Sequence, residues 1–306
     1  MPHASIGRVA VDSGGGAIPI FSGQGKFLGS IDAHDAENVL LQQVQFEKLK
    51  DADFVLDVAR RIVAGKVNNS RVLLQRRGRK AGDERVAQAV RQLANVAEGM
   101  TQAATLDEVR GYEGAASAAY FDGLGACFAE PFSFTKRTRR PPQDPINALL
   151  SFGYAMLFQN IHALVRARGL SPHVGMLHAL RQGHPALCSD LIEELRAPVV
   201  DALVTTVINR KMFKLEDFSY EEADEEDAPD ATEEAERAVG AKRSCRLTDE
   251  ARKRFIAQFE VRMNTAVRHK HAGIRTTWRG CIDLQIGHYI KVLRGEAEHY
   301  QALEFV

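Results

Sequence analysis

Glu113 is the first residue of the sequence whose type and setting could support chemistry. It lies in Arg110-Gly111-Tyr112-Glu113-Gly114-Ala115-Ala116, and Tyr120 follows seven positions later, two turns along the same helical face. Small neighbours would let another backbone or a substrate approach the Glu113 carboxylate. A glutamate in a helix is more often solvated, so this residue alone does not define a site.

A second group of such residues begins at His178, in Gly175-Met176-Leu177-His178. Asp190 and Glu193 follow at i, i+3 spacing, which puts both carboxylates on one helix face. Two adjacent acids on a half-apolar helix repel each other unless a cation or a base lies between them. A glutamate, a histidine and an acid from three elements form a mixed N/O site of the kind that binds Mn²⁺ or Mg²⁺. A lone histidine on an apolar stretch is also typical of a packed core.

The elements that must position these residues are mainly helical. Short apolar runs at 18–21 and 27–31 predict a β-hairpin around Ser22-Gly23-Gln24-Gly25. From about Asp32 onward, apolar residues recur at helical spacing. The predicted helices cover 55–63, 86–97, 106–127, 147–165, 185–196 and 198–209, with further helices starting at Thr248 and near Trp278. The 147–165 helix is apolar on nearly all sides, which predicts a central buried position.

The charges of the chain are unevenly distributed. Its 40 basic and 40 acidic residues cancel, but residues 216–236 contain 12 acids and no base, which leaves the remainder near +12. A body of that charge can attract a polyanion such as DNA. The acidic run, extended to 216–240, is predicted to be a mobile insertion. It serves either as a solvated loop or as an acidic arm that mimics DNA or binds a partner.

Composition excludes several classes of protein. There is no run of 18 apolar residues that would predict a membrane span, and residues 1–16 lack the pattern of a signal peptide. The four cysteines are scattered without a C-x-x-C pair, which argues against a zinc ribbon or an iron–sulfur cluster.

Four ordered motifs together resemble the CRISPR-associated protein one family, whose members integrate new spacers. The string Arg139-Arg140-Pro141-Pro142-Gln143-Asp144-Pro145-Ile146-Asn147-Ala148-Leu149-Leu150-Ser151-Phe152-Gly153-Tyr154 is similar to the central signature of that family. Glu113-Gly114 through Tyr120-Phe121, Gly169-Leu170 through His178 to Asp190–Arg196, and Leu247–Arg252 agree in order and spacing. The resemblance covers roughly residues 18 to 306.

The resemblance implies a metal-dependent DNA endonuclease and integrase that acts by phosphodiester hydrolysis and transesterification. The implied metal ligands are Glu113, His178 and Glu193, which should converge on one Mn²⁺ or Mg²⁺ ion, with Asp190 orienting His178 or a metal-bound water. Tyr120 is expected either to position a phosphate or hydroxyl or simply to pack in its helix. The candidate phosphate contacts are basic residues of one loop, which could also be merely solvated: Arg137, Arg139 and Arg140.

The resemblance also implies partners: double-stranded and branched DNA, CRISPR-associated protein two, and a second copy of the chain. We expect residues 1–31 to be a remnant of the N-terminal β-domain that pairs two subunits in this family, so dimerisation is expected to be weakened. Residues 32–306 should form the helical catalytic domain. The expected location is the prokaryotic cytoplasm. Two alternatives are a related mobile-element integrase and a truncated DNA-binding remnant without full integration activity.

Overall fold

The computed structural model describes residues 18–21, 27–31, 38–78, 83–139, 141–222 and 243–305. Within these ranges the chain is mainly α-helical, with three separate two-stranded antiparallel sheets. This confirms the predicted fold class. The first sheet is the predicted hairpin, in which β1 (Ile18–Phe21) pairs with β2 (Phe27–Ile31).

The first half of the helical body consists of four helices. They are α1 (Val39–Lys48), α2 (Ala52–Gly78), α3 (Glu84–Met100) and α4 (Leu106–Gly125). Helix α2 packs against α3, α4 and α6, because its stripe of apolar residues between Val55 and Leu74 is buried. Helix α4 begins where the Thr105 hydroxyl accepts a hydrogen bond from the Glu108 amide, and it carries Glu113 as its eighth residue.

Helix α5 (Pro145–Ala167) runs through the centre of the body. It begins as the sequence predicts, with Asp144 accepting a hydrogen bond from the Asn147 amide and with Pro145 in the first turn. By length and composition alone this helix could cross a membrane, yet half of its most apolar window is buried inside the protein. Its packing against α6 and α9 accounts for that composition.

The two helices predicted at 185–196 and 198–209 are present and are joined into one continuous helical run. Helix α6 (Ala186–Leu195) passes into a π-helical turn, Arg196–Asp201, and then into α7 (Ala202–Asn209). Pro198 has no amide hydrogen and would break a regular α-helix, and the wider π-turn lets the run continue past it. The sequence therefore located both α-helices but not the π-turn that joins them.

The start of the predicted acidic insertion also needs correction. A 3₁₀ turn at Leu215–Asp217 leads into β3 (Phe218–Glu222), which pairs with β4 (Arg243–Leu247). Residues 216–222 are therefore part of an antiparallel sheet whose first residue, Phe218, is buried. The rest of the predicted insertion, 223–240, lies outside the described residues.

The C-terminal part closes the body. Helix α8 (Asp249–Met263) starts after Thr248 as predicted. The short strands β5 (Ala266–Arg268) and β6 (Arg275–Thr277), which the sequence analysis missed, precede α9 (Trp278–Leu293). The segment after α9 crosses α2 closely at Gly65. A Cβ at that position would lie only 2.5 Å from the Cβ of Ala302, so the crossing requires glycine.

Candidate active site

His178 is oriented by Asp190, which lies on the buried face of α6. The Asp190 carboxylate accepts hydrogen bonds from the amides of Met176, Leu177 and His178, at 2.5, 3.0 and 2.9 Å. Its Oδ1 lies 2.7 Å from His178 Nδ1, which leaves Nε2 as the ring nitrogen available to a metal. A Cβ on Gly175 would lie 2.7 Å from Asp190 Oδ2, so this position requires glycine. The predicted orienting role of Asp190 has a clear structural basis.

Glu113 and Glu193 come together through a lysine that the sequence analysis did not single out. The Nζ of Lys66, on α2, forms ion pairs with both Glu113 Oε1 and Glu193 Oε2, the latter at 2.7 Å. Arg196 adds an ion pair with Glu193 Oε1 at 3.1 Å, and the Ser117 hydroxyl donates to Glu113 Oε1 at 2.9 Å. Helices α2, α4 and α6 therefore converge on one cluster of opposite charges.

The charges of this cluster stabilise one another. Burial alone would raise the pKa values of Glu113 and Glu193. Lys66 nevertheless holds the pKa of Glu113 below its ordinary value, and Arg196 together with Lys66 does the same for Glu193. Burial alone would lower the pKa of Lys66, but the two carboxylates raise it. For His178, burial is likewise outweighed by the hydrogen bond and charge of Asp190, so its pKa is raised. Both carboxylates and the lysine are therefore ionised at neutral pH.

The donors suit a divalent cation, although they are not arranged around one point. In the part of the chain that the structure describes, no three His, Cys, Asp or Glu side chains lie close enough to hold a metal. The predicted convergence of Glu113, His178 and Glu193 on one point is therefore incomplete, because the Lys66 ammonium lies between the two carboxylates. Oε2 of Glu193 is buried and makes no directed hydrogen bond, even to Lys66. The carboxylates of Glu113 and Glu193 and the imidazole of His178 are ligand types that fit Mn²⁺ or Mg²⁺.

The site is open on the Glu113 side. Nothing lies within 4 Å of the positions that a Cβ would take on Gly111 or Gly114, so the small residues beside Glu113 leave free space as the sequence predicts. The guanidinium of Arg110 donates to the Leu177 carbonyl at 2.9 and 3.2 Å, which ties α4 to the loop of His178. The helix that carries Glu113 is therefore in direct contact with the loop that carries His178.

Behind the site, Glu194 anchors α6 to the C-terminal segment. It is fully buried and accepts hydrogen bonds from the Tyr300 hydroxyl, the Gln285 amide group and the Leu303 amide, at 2.7, 3.0 and 2.7 Å. Burial, partly offset by these bonds, raises the pKa of Glu194 to about 7. The α2 side chain of Asn69 donates to the carbonyls of Glu194 and Leu303, both at 2.7 Å. This network fixes the backbone next to Glu193.

Comparison with known proteins decides the family. A family model described as "CRISPR associated protein Cas1" matches residues 11–261. The chain belongs to the Cas1 family. A CRISPR-associated endonuclease Cas1 of Leptospira interrogans is 34% identical over 268 residues, which are 85% of this chain and 98% of that protein. Endonucleases of the Cas1 family are in general metal-dependent.

Solved structures agree with the Cas1 assignment. A partial Cas6-RT-Cas1–Cas2 complex matches with a TM-score of 0.74 at 25% identity, over 94% of this chain and 80% of that one. A casposase bound to integration product matches with a TM-score of 0.76 over 95% of this chain and 75% of that one. At 20% identity, the casposase shows a shared fold alone.

The structure does not place Tyr120 at this Cas1 site. Its ring is buried, and its hydroxyl donates to Oδ2 of Asp201 at 2.6 Å, while the Tyr154 hydroxyl donates to Oδ1 at 2.5 Å. The hydroxyl is thus committed to a buried carboxylate. Of the two roles expected for Tyr120, this arrangement fits the packed one, and the catalytic role stays a prediction.

Two arginines of the basic loop differ in burial. Arg137 is buried, and its guanidinium donates to the Thr138 carbonyl, the Asn147 side chain and the Ser151 hydroxyl, at 2.6, 2.8 and 3.0 Å. These contacts hold the loop on α5, and the DNA contact expected of Arg137 stays a prediction. Arg139 is half-buried, and Arg140 lies outside the described residues.

Sequence reasoning missed Lys66, Arg196 and Ser117. A signal for Lys66 was present: it follows Ile62 and Val63 at i+4 and i+3, on the apolar stripe of α2. A lysine on a buried helix face requires a nearby acid, since burying an unpaired ammonium is costly. Arg196 lies three residues after Glu193, and Ser117 lies four residues after Glu113. These are the spacings at which side chains on one helix contact each other.

Proposed function

We propose that this chain is a metal-dependent DNA endonuclease and integrase that inserts new spacers into a CRISPR array by transesterification. The observation that carries the proposal is the cluster in which Lys66 joins Glu113 and Glu193 in a Cas1 chain, next to the α6 residue Asp190 that holds His178. The names of the relatives, which are CRISPR-associated endonucleases, support the same reaction class.

Each residue has a role that follows from its surroundings. Glu113, His178 and Glu193 would hold a divalent ion, which supplies Lewis-acid stabilisation of charge on the scissile phosphate. Asp190 keeps Nε2 of His178 directed toward the site. Arg196 neutralises Glu193, so that this carboxylate stays ionised although buried. An imidazole among the ligands favours Mn²⁺ over Mg²⁺.

We also propose the partners and the setting of the reaction. The substrates would be double-stranded and branched DNA, and the protein partner would be Cas2, since one matched structure is a complex that contains Cas1 and Cas2. We propose that the site acts in the prokaryotic cytoplasm, and that residues 32–306 form the catalytic domain. Whether two copies pair is decided by the molar mass of the purified chain in light scattering.

The decisive experiment compares two carboxylate substitutions on α4. In Glu113→Gln, Mn²⁺-dependent nicking of branched DNA and integration should fall by at least about a hundredfold, because a metal ligand is removed. The matched control is Asp122→Asn, whose carboxylate lies on the same helix but is exposed and paired with Arg85. Activity in Glu113→Gln equal to that of the control would refute the site.

A mobile-element integrase is the second candidate function, because the fold matches that of a casposase bound to integration product. Integration into plasmids that carry either a CRISPR repeat or a transposon target distinguishes the two. Preference for the repeat supports spacer acquisition, whereas preference for the transposon target supports the second candidate.

A further inference from the structure

The ammonium group of Lys66 occupies the place between the two carboxylates of the site. The side chain is 11% exposed, and the residue belongs to the buried face of α2. Glu113 and Glu193 come from α4 and α6, so the lysine is the point at which three helices meet. No ordinary packing argument places a lysine there, because an ammonium is costly to bury without acids around it.

The Lys66 ammonium lies against the oxygen of Glu193 that a metal would need. Glu193 Oε1 is already taken by Arg196, which leaves Oε2, and Oε2 lies 2.7 Å from the lysine Nζ. Oε1 of Glu113 accepts from both Lys66 and Ser117. A divalent ion held by Glu193 Oε2 and the Glu113 carboxylate would compete with the ammonium for the space beside Glu193 Oε2. Two cations cannot share that position, because they would repel each other at contact distance.

We propose that Lys66 is an internal competitor of the metal: it holds Glu113 and Glu193 together in the metal-free protein and must leave when a divalent ion binds. This inference rests on the proposed metal site. The lysine prevents repulsion between two buried carboxylates and, by the same contacts, weakens the affinity of the site for the ion. Its flexible four-carbon stem allows the ammonium to move aside, so that Lys66 is a positioning residue for both ligands.

The test is the binding of Mn²⁺ to the full chain without DNA, measured by electron paramagnetic resonance of free Mn²⁺. Lys66→Met keeps much of the side-chain volume and removes the charge. The expected result is a dissociation constant lower than that of the unmodified protein by on the order of tenfold or more. The control is Lys270→Met, which removes an exposed lysine paired with Glu304 and should change binding by less than about twofold.

A second variant and a second readout keep the test independent of folding defects. Lys66→Gln retains a hydrogen-bond donor for one carboxylate and should also bind Mn²⁺ more tightly. Thermal unfolding should show that both neutral variants are less stable than the unmodified protein in EDTA and gain more from added Mn²⁺.

Equal or weaker Mn²⁺ binding in both neutral variants would overturn the inference. If the unmodified protein binds Mn²⁺ and loses it in Glu113→Gln, while the Lys66 variants bind unchanged, only this inference fails. If Glu113→Gln leaves binding unchanged, the proposed metal site fails instead.

Discussion

Asp201 gives this protein a pH-dependent stability that one substitution should remove. Its carboxyl group is fully buried, and that burial, partly offset by hydrogen bonds from Tyr120 and Tyr154, raises its pKa to about 6. In an unfolded chain the pKa of an aspartate is about 3.9. The folded protein therefore holds this proton more tightly than the unfolded chain, so ionisation of Asp201 destabilises the fold.

The size of the effect follows from the two pKa values. A difference of about two pH units corresponds to about 3 kcal/mol of unfolding free energy. Because the folded-state pKa is the higher one, this stability is fully present below about pH 4 and is lost as the pH rises to about 6 and beyond. Roughly 2 kcal/mol of it should disappear between pH 4.5 and pH 7.5.

Asp201→Asn removes the ionisation and keeps the shape of the side chain. Its amide oxygen can accept a hydrogen bond from one tyrosine, and its amide nitrogen can donate to the other hydroxyl oxygen. The variant should therefore gain about 2 kcal/mol relative to the unmodified protein as the pH rises from 4.5 to 7.5. Groups that titrate in both proteins cancel in the difference.

Urea unfolding followed by circular dichroism measures this difference, with Asp122→Asn as the exposed control. Tyr120→Phe removes one of the two donors and should steepen the pH dependence of the protein that retains Asp201. It should leave nicking activity within a few-fold, since the hydroxyl faces a buried carboxylate. A stability difference between Asp201→Asn and the unmodified protein that stays constant across this pH range would refute the reasoning.

Two further predictions concern the orientation of His178 and the acidic segment. Asp190→Asn places an amide nitrogen against backbone donors, so it should cost about 1–3 kcal/mol of stability. It should also weaken Mn²⁺ binding by about 10–100-fold, because His178 is no longer held in place. Mn²⁺ binding as tight as in the Asp122→Asn control would contradict this prediction. Because Glu222 pairs directly with Arg243, residues 223–242 can be replaced by Asn-Gly, a turn that joins β3 and β4. The replacement removes eight acids and two bases, and it should tighten non-specific DNA binding and steepen its salt dependence. Unchanged DNA affinity would instead identify the segment as a solvated loop.

Local signals in the sequence were sufficient for most of the helical body. Asp144 and Pro145 specified the start of α5, Thr248 that of α8, and apolar periodicity located α2 and α3. These features depend on residues within one or two turns of each other, so spacing reveals them. The π-turn after α6 was missed because regular periodicity does not show how a chain accommodates Pro198.

The candidate site also has a part that local sequence signals reveal and a part that they do not. The motif that carries His178 could be recognised together with Asp190, because the two residues are only 12 positions apart in the sequence. The Asp190 carboxylate approaches the backbone closely at Gly175. The sequence also singled out Glu113 and Glu193 by type, but not what lies between them.

Only the tertiary structure showed which side chains meet. Lys66 is 47 residues from Glu113, and Tyr120 is 81 residues from Asp201, so no local pattern couples either pair. Arg137 shows the same limit: its position in a basic loop does not reveal that its guanidinium is buried against α5. The sequence determines which residues can be charged, whereas the packing of α2, α4 and α6 determines which charges are buried together and therefore which act as ligands, partners or supports.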